Sequence, residues 1–425
     1  MTNTSNGEAA GADGIRRSRL DSGLRVVTES LPALRSVAVG FWVGTGSRDE
    51  ADPSSGSSHF LEHLLFKGTD SRSAQEIAGA IESVGGEMNA FTTHEYTAFY
   101  VRVPDRQLEL ALDILADVVT VPSFRPEEVE SERQVILEEI RMRDDTPDDL
   151  VHEIFAGALF PDHPIGRSVL GTFDSVGSLA RDEIAAYHRA HYKTENMVVA
   201  VAGNQDHDTV LRLLAARMER VEGDRPARVT APPAAPAPVS VFHRSTEQAH
   251  LVMGTRALDR DDPDRYALSV LNQVLGGGMS SRLFQEVREK RGLAYSVYSY
   301  RGAYQDAGAL AIYAGTAPGK VDEVLAVIRG ELDRLIADGG VSEQELADAK
   351  GHLKGSMALA LETSSSRMHR LGRSELVHRE VPSLDDLVAD IEAVTPDDVS
   401  RVVRRVLTDQ PRTLAVVGPF SPSDF

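Results

Sequence analysis

The chain repeats itself, and this repeat strongly limits the folds it can adopt. The sequence Val103-Pro104-Asp105, which precedes an apolar helical pattern, has a counterpart 214 residues further on in Ala317-Pro318-Gly319. The strand-like run 199–203 recurs as 414–418, at a spacing of 215 residues. Because two elements recur in the same order at nearly one spacing, the sequence predicts two copies of one folding unit.

A segment rich in proline and alanine separates the two copies. Residues 226–238 favour extended polyproline conformations, which predicts a semi-rigid connector. We therefore predict an N-terminal domain over 14–225, the connector over 226–238 and a homologous C-terminal domain over 239–425. Each domain is expected to be of the α+β class, with a mixed or antiparallel sheet packed with helices.

Charge and composition exclude several classes of protein. A formal charge of −20 argues against a nucleic-acid surface, and the lack of cysteine excludes disulfides, thiolate catalysis and cysteine-based zinc sites. No apolar run approaches the roughly 20 residues of a transmembrane helix, and the small polar segment 1–13 is expected to be disordered. We therefore expect a cytoplasmic protein that binds neither nucleic acid nor membrane, with no export signal.

The stretch that carries chemistry is His59-Phe60-Leu61-Glu62-His63. On a helix, residues four apart lie one above the other, so His59 and His63 can bind the same metal ion. Glu62 falls on that face and places a carboxylate beside the metal. The order H-x-x-E-H is the inverse of the thermolysin-type motif, and imidazole suits zinc. The motif predicts a hydrolytic zinc site in which Glu62 takes a proton from water, although two helical histidines can also occur by chance.

A third protein ligand is needed, and the helix that Pro126 opens is its strongest source. Glu132 and Glu139 are seven residues apart, so they share a helix face but are separated by about 10.5 Å along the axis. Only one of them can therefore touch the ion. Glu138 points about 100° away from that face and is a weaker candidate. Spacing alone leaves the choice between Glu132 and Glu139 open.

Together these residues resemble the M16, or pitrilysin-type, metallopeptidases. The resemblance is strongest to the mitochondrial processing peptidase β subunit and its bacterial relatives, and it covers nearly the whole chain. It implies one zinc ion per chain, held by His59, His63 and a glutamate 76 residues after His63, which is Glu139. It also implies that Glu132 supports catalysis, and we expect it to hold a ligand histidine through its other ring nitrogen.

The resemblance gives a role to two further stretches. Asn89 and Ala90 resemble the edge strand on which these enzymes bind an extended peptide, through main-chain hydrogen bonds. Arg288 and Tyr295 resemble the pair that binds substrate and donates hydrogen bonds to the oxyanion. Without the resemblance, these four would be ordinary strand and surface residues.

The sequence therefore predicts a zinc-dependent metalloendopeptidase acting on extended peptides or presequence-like segments. Because family members enclose their substrate between two such two-domain halves, we expect a homodimer or a heterodimer with a related subunit. A non-catalytic structural or partner-binding subunit of the same fold is the first alternative. A zinc hydrolase of non-peptide amides is the second.

Overall fold

The computed structural model describes residues 14–219, 221, 226–228, 230 and 233–425. Segment 1–13, which is predicted to be disordered, and positions 229 and 231–232 of the predicted connector lie outside the described residues. Within the described ranges, no helix is both long and apolar enough to cross a membrane.

The described residues form two compact units. The first takes its residues from 1–140, 168–229 and 359–383, and the second from 141–167, 230–358 and 384–425. Each unit thus includes a segment from the other half of the sequence. The predicted boundaries at 225 and 239 refer to the repeat in the sequence, whereas the two units are groups of residues that lie close together in space. These boundaries therefore stay a prediction.

A six-stranded sheet forms the centre of the first unit, in the order β1-β2-β6-β3-β5-β4. Its strands are β1 (Ile15–Arg19), β2 (Arg25–Ser30), β3 (Ser36–Val43), β4 (Glu87–Thr92), β5 (Thr97–Pro104) and β6 (Met197–Gly203). The neighbours β2 and β6 are parallel, and all other neighbours are antiparallel. This order leaves β4 at an edge of the sheet, paired with β5 alone.

Helices cover both faces of this sheet. Because successive residues of β3 point to opposite faces, this strand contributes buried residues to both. Val39 and Phe41 join a core with the helices α1 (Ser57–Leu65), α2 (Ala74–Glu82), α3 (Leu108–Thr120), α4 (Pro126–Asp144), α6 (Phe173–Ser178), α7 (Arg181–His191) and α8 (His207–Ala215). On the opposite face, Ala38 and Trp42 pack against α12 (Ser364–Val377), which comes from the second half of the sequence.

The second unit repeats this plan. Its strands are β7 (Val239–His243), β8 (Ala249–Ala257), β9 (Ala294–Ala303), β10 (Gly308–Thr316) and β11 (Thr413–Gly418). Their order is β7-β11-β8-β10-β9, which matches β2-β6-β3-β5-β4 strand for strand, with a parallel pair at the same place. The predicted α+β fold with two sheet-plus-helix domains is confirmed.

Helices again cover both faces of the second sheet. One face packs against α9 (Arg265–Gly276), α10 (Val321–Ala337), α11 (Glu343–Ala360) and α14 (Pro396–Val403), and α13 (Leu384–Glu392) lies against α9. The other face packs against α5 (Pro147–Leu159), which comes from the first half of the sequence. Here α9 follows β8 as α1 follows β3, but α9 contains no histidine.

Candidate active site

Helix α1 is fixed at its start by a backbone turn and a buried carboxylate. Gly56 precedes the helix with φ of +96°, and a Cβ there would lie 2.8 Å from the carbonyl oxygen of Leu170. The N–H groups of Gly56 and Ser58 donate to the two oxygens of Glu50, each at 2.7 Å. These bonds satisfy donors that the first turn leaves without a partner. The histidines of α1 therefore project from a firmly anchored helix.

Helix α4 supplies the glutamates of the site. Val129, Ile136 and Ile140 are buried on its core-facing side, and Glu132 lies among them with only 5% of its side chain exposed. Glu139 follows two turns later and is 37% exposed. The helix thus presents one buried and one accessible carboxylate to α1.

His59, His63 and Glu139 form a compact cluster of donor atoms. The Nε2 atoms of His59 and His63 each lie 3.6 Å from Oε2 of Glu139, and the three ligand atoms lie within 4.8 Å of one another. In the described ranges this is the one group of three or more histidine, cysteine, aspartate or glutamate residues that could hold a metal ion. The structure thus brings these three predicted ligands together.

The donors of this cluster fit a bound cation. Oε2 of Glu139 is buried and has no hydrogen-bond partner among the described residues, although it faces two imidazole nitrogens. A buried carboxylate oxygen in that position is costly unless a positive charge lies beside it. Two imidazoles and one carboxylate are a donor set typical of catalytic zinc, which keeps a fourth position for water or substrate.

Burial sets the protonation state of one predicted ligand. Desolvation, with a smaller contribution from His63, lowers the pKa of His59 to about 3. The His59 imidazole is therefore neutral near pH 7, and neutral imidazole is the form that binds metals.

Glu132 contacts His63 rather than the cluster centre. Its Oε2 lies 3.0 Å from Nδ1 of His63, and its Oε1 accepts from Nζ of Lys67 at 2.7 Å. A carboxylate that accepts from Nδ1 fixes the histidine tautomer and leaves Nε2 free to act as a ligand. Glu132 thus lies where a positioning residue for His63 is needed.

Glu62 is held from the neighbouring edge strand. The hydroxyl of Thr92 on β4 donates to Oε2 of Glu62 at 2.6 Å. Burial raises the pKa of the Glu62 carboxyl, while hydrogen bonds from the hydroxyl and main chain of Thr92 act in the opposite direction. A raised pKa suits a general base, because it makes the carboxylate a better proton acceptor near neutral pH.

The predicted peptide-binding residues Asn89 and Ala90 lie in the middle of the edge strand β4. Asn89 pairs with Tyr100 of β5 and Ala90 with Phe99, and none of the described strands pairs with the opposite side of β4. The N–H of Ala90 donates to Oδ1 of Asn89 at 2.8 Å instead of to β5. Such an edge presents main-chain groups to which an extended peptide can pair.

Arg288 and Tyr295 belong to the second unit, whereas the histidines and glutamates of the site belong to the first. Arg288 lies in a π-helical segment, Phe284–Glu289, and its guanidinium stacks on the rings of Phe284 and Tyr295 at 4.8 and 4.7 Å from their centroids. Tyr295 is 80% exposed at the start of β9. The structure therefore pairs the two residues with each other.

Three residues that hold this site were missed by sequence reasoning. Lys67 follows His63 by four residues, and that spacing is a signal that could have suggested a shared surface. Thr92 lies two residues after Ala90 on the same face of β4, but its hydrogen bond to Glu62 depends on how α1 packs on the sheet. Glu50 lies in an irregular segment before α1, where no local pattern indicates its role.

Two protein families match parts of this chain. Residues 25–173 match the family described as insulinase (peptidase family M16). Residues 178–353 match the family described as peptidase M16 inactive domain. The first match contains α1 and the α4 glutamates, and the second lies mostly in the duplicated half.

Bacterial proteins similar to this chain carry the name uncharacterized zinc protease. One from Streptomyces coelicolor is 49% identical over 95% of this chain and 90% of that protein. One from Mycobacterium tuberculosis is 46% identical over 99% of this chain and 96% of its own length. One from Bacillus subtilis is 40% identical over 95% of this chain and 98% of its own length. Each of the three is similar to this chain over at least 95% of this chain and at least 90% of its own length.

Solved structures share the fold. A protease from Helicobacter pylori superposes with a TM-score of 0.88 at 26% identity, covering 95% of this chain and 99% of that one. A structure named peptidase M16 inactive domain, from Pseudomonas fluorescens, also superposes with a TM-score of 0.88. It is 23% identical and covers 96% of this chain and 98% of that one. The second likeness supports the fold alone.

Proposed function

The chain belongs to peptidase family M16, and we propose that it is a zinc-dependent metalloendopeptidase that hydrolyses extended peptides or presequence-like segments. The observation that carries this proposal is the convergence of Nε2 of His59 and Nε2 of His63 on Oε2 of Glu139, at 3.6 Å each. The names of the bacterial relatives support zinc as the metal.

We propose that His59, His63 and Glu139 hold one zinc ion per chain. When bound, zinc lowers the pKa of a coordinated water to about 7 and polarises the carbonyl that is attacked. Glu132 accepts from Nδ1 of His63 and so keeps the opposite nitrogen available as a ligand.

Glu62 is the proposed general base. It lies one residue before His63 on α1, with its carboxylate fixed by Thr92. It takes the proton of the water that attacks the scissile carbonyl, and then delivers this proton to the leaving amine. Its partial burial supports this role, because burial raises the pKa of the carboxyl.

The edge strand β4 is the proposed peptide-binding site, with Asn89 and Ala90 at its centre. A peptide that pairs with β4 is bound through its main chain, so the site selects an extended conformation more than a particular sequence. We expect folded proteins to be poor substrates for this reason.

Arg288 and Tyr295 are proposed to bind substrate and to donate hydrogen bonds to the oxyanion of the tetrahedral intermediate. Tyr295 is 80% exposed and the side chain of Arg288, which lies against its ring, is 36% exposed, so a ligand can reach both. We further propose that the protein works as a homodimer or as a heterodimer with a related subunit, like the mitochondrial processing peptidase. A cytoplasmic location is part of the same proposal.

A non-catalytic partner subunit of the same fold is the second candidate. The match of residues 178–353 to an inactive peptidase domain supports it for that part of the chain. However, a chain that only binds partners has no need for four residues, His59, Glu62, His63 and Glu139, in an arrangement suited to hydrolysis. The peptidase is therefore the better supported candidate.

The experiment that separates these candidates is cleavage of an unstructured fluorogenic peptide by the zinc-loaded protein. We expect the wild-type chain to cleave it, and Glu62→Gln to keep its zinc but lose at least about 100-fold in kcat. A wild-type chain that binds zinc without cleaving any peptide in a diverse library would favour the other candidates. Full activity in Glu62→Gln would rule out Glu62 as the base.

A further inference from the structure

The hydroxyl of Thr92 links the edge strand to the proposed base. Glu62 lies on α1, whereas Thr92 is the last residue of β4, and their side chains meet in a hydrogen bond of 2.6 Å. A glutamate side chain has three rotatable bonds, so its helix alone does not determine where its oxygens point. The bond from Thr92 fixes one of the two oxygens.

The side chain of Thr92 points to the α1 face because of the strand's alternation. Met88 and Ala90 pack against the core that contains α1, whereas Phe91 points to the opposite face and contacts Trp42. Since strand residues alternate between faces, Thr92 lies on the same side as Met88 and Ala90. Its hydroxyl is therefore directed at the helix that carries Glu62.

The main-chain carbonyl of Thr92 faces the open edge of the sheet. The N–H of Thr93 bonds to the carbonyl of Tyr96 across the hairpin, and the N–H of Ala90 bonds to Oδ1 of Asn89 rather than to β5. In an antiparallel pair, consecutive residues direct their main-chain groups alternately toward and away from the partner strand. The main chain of Ala90 and the carbonyl of Thr92 thus face the side that an added strand would occupy, while the N–H of Thr92 is directed at Glu62.

We propose that Thr92 is a positioning residue that fixes the carboxylate of Glu62 relative to a peptide bound on β4. This inference rests on the proposed peptidase function. Thr92 then contacts both the peptide and the base, because its carbonyl pairs with the peptide and its hydroxyl and N–H bind the carboxylate of Glu62. The contacts of Thr92 therefore determine the distance between the base and the scissile bond. Peptide affinity, in contrast, depends on main-chain pairing along the whole of β4.

The test compares Thr92→Val, which keeps the branched shape and removes the hydroxyl, with Thr92→Ser, which keeps the hydroxyl. We expect Thr92→Val to lower kcat about tenfold or more, because hydrogen bonds to charged groups are among the stronger ones. KM for the fluorogenic peptide and zinc content stay within about twofold of wild type. Thr92→Ser restores most of kcat.

A matched control comes from the same sheet. Thr28 on β2 is buried and its hydroxyl lies 2.8 Å from Nδ1 of His207. In the sheet, β6, β3 and β5 separate β2 from β4. Thr28→Val therefore removes a comparable hydrogen bond away from Glu62, and we expect it to lower the melting temperature without lowering kcat.

Several results would overturn the inference. These are a wild-type kcat in Thr92→Val, a rise in KM without a fall in kcat, an equal loss in Thr92→Ser, or an equal loss of kcat in Thr28→Val. If Thr92→Val does not fold, Thr92→Ala provides the same comparison. If the wild-type protein cleaves no peptide, the proposed function fails and the inference falls with it. If the wild type and Thr92→Val cleave equally, the inference alone fails.

Discussion

Nδ1 of His63 lies 3.0 Å from Oε2 of Glu132, and this bond links a predicted metal ligand to a carboxylate that is only 5% exposed. The other oxygen of Glu132 lies 2.7 Å from Nζ of Lys67. A buried carboxylate needs a positive partner, and Lys67 supplies it from a position just beyond the end of α1. The orientation of His63 thus depends on Glu132, and through it on Lys67, neither of which belongs to the cluster of His59, His63 and Glu139.

Replacing Lys67 by methionine should weaken zinc binding. Methionine keeps the length and apolar stem of lysine but leaves Glu132 without its ion pair. We expect the zinc Kd to rise about tenfold, because residues that hold metal ligands contribute on this scale. Competition with a chromophoric chelator measures this directly, without any assay of activity.

Lys67→Arg is the matched control for this change. It retains a positive charge that can reach Glu132, so its zinc affinity should stay within about threefold of wild type. Equal zinc affinity in Lys67→Met and the wild type would show that the ion pair between Lys67 and Glu132 does not help to orient His63 for metal binding.

Replacing Ala90 by proline should weaken peptide binding and leave the fold intact. The N–H of Ala90 faces away from β5, and proline is tolerated at such positions on edge strands. The variant lacks the N–H that an added strand would use, and one hydrogen bond is worth about 1 kcal/mol. We expect KM to rise about fivefold. Ala90→Ser keeps the N–H and should bind normally; an unchanged KM in Ala90→Pro would argue against strand addition at this residue.

Gly372 tests the packing of α12 on the first sheet. A Cβ at this position would lie 2.0 Å from Nε1 of Trp42, which is buried. Gly372→Ala should therefore lower the free energy of unfolding by about 1–3 kcal/mol, the usual cost of overpacking. Gly355 in α11 has nothing within 4 Å of such a Cβ, so Gly355→Ala should stabilise by up to about 1 kcal/mol. Denaturant unfolding compares them, and a Gly372→Ala protein as stable as wild type would exclude this packing.

His188 on α7 should make the stability depend on pH. Burial lowers the pKa of His188 to about 4 from an ordinary 6.5, and its Nε2 lies 2.9 Å from the carbonyl oxygen of Val119. The unfolded chain takes up this proton near pH 6.5 and the folded chain only near pH 4. The free energy of unfolding should therefore fall as pH decreases from about 6.5 to about 4, by an amount on the order of 3 kcal/mol at most.

His188→Gln removes this titration while keeping a donor for Val119. Its free energy of unfolding, measured by denaturant titration at several pH values, should fall less steeply between pH 6.5 and 4 than that of the wild type. Parallel curves for the two proteins would show that His188 does not contribute.

Elements with a strong local pattern could be predicted from the sequence. The apolar periodicity of Arg181–His191 predicts a helix and the uninterrupted apolar run Met197–Gly203 predicts a strand, both with the observed boundaries. The predicted metal ligands could be identified in part for a similar reason. Four-residue spacing on one helix joins His59 to His63, but the choice of Glu139 over Glu132 came from the family resemblance.

Other features depend on contacts that no local pattern encodes. The strand Ile15–Arg19 was missed, since its alternating residues are mostly polar and it lies at an edge. From the sequence we predict a helix from His207 to about 221, but the helix ends at Ala215, where the N–H of Ala216 bonds back to the carbonyls of Arg212 and Leu214. The amphipathic pattern of Pro147–Leu159 predicts one buried face, but not that this face packs on the sheet of the second unit.

The measurement that tests the central claim most directly is zinc stoichiometry, by elemental analysis after dialysis, in the wild type, Glu139→Gln and Glu138→Gln. The two variants change adjacent residues of α4, but only Glu139 faces both imidazoles. We expect one zinc per chain in the wild type and in Glu138→Gln, and a zinc content near zero in Glu139→Gln. Full zinc in Glu139→Gln, or none in the wild type, would contradict the assignment of His59, His63 and Glu139 as the metal site.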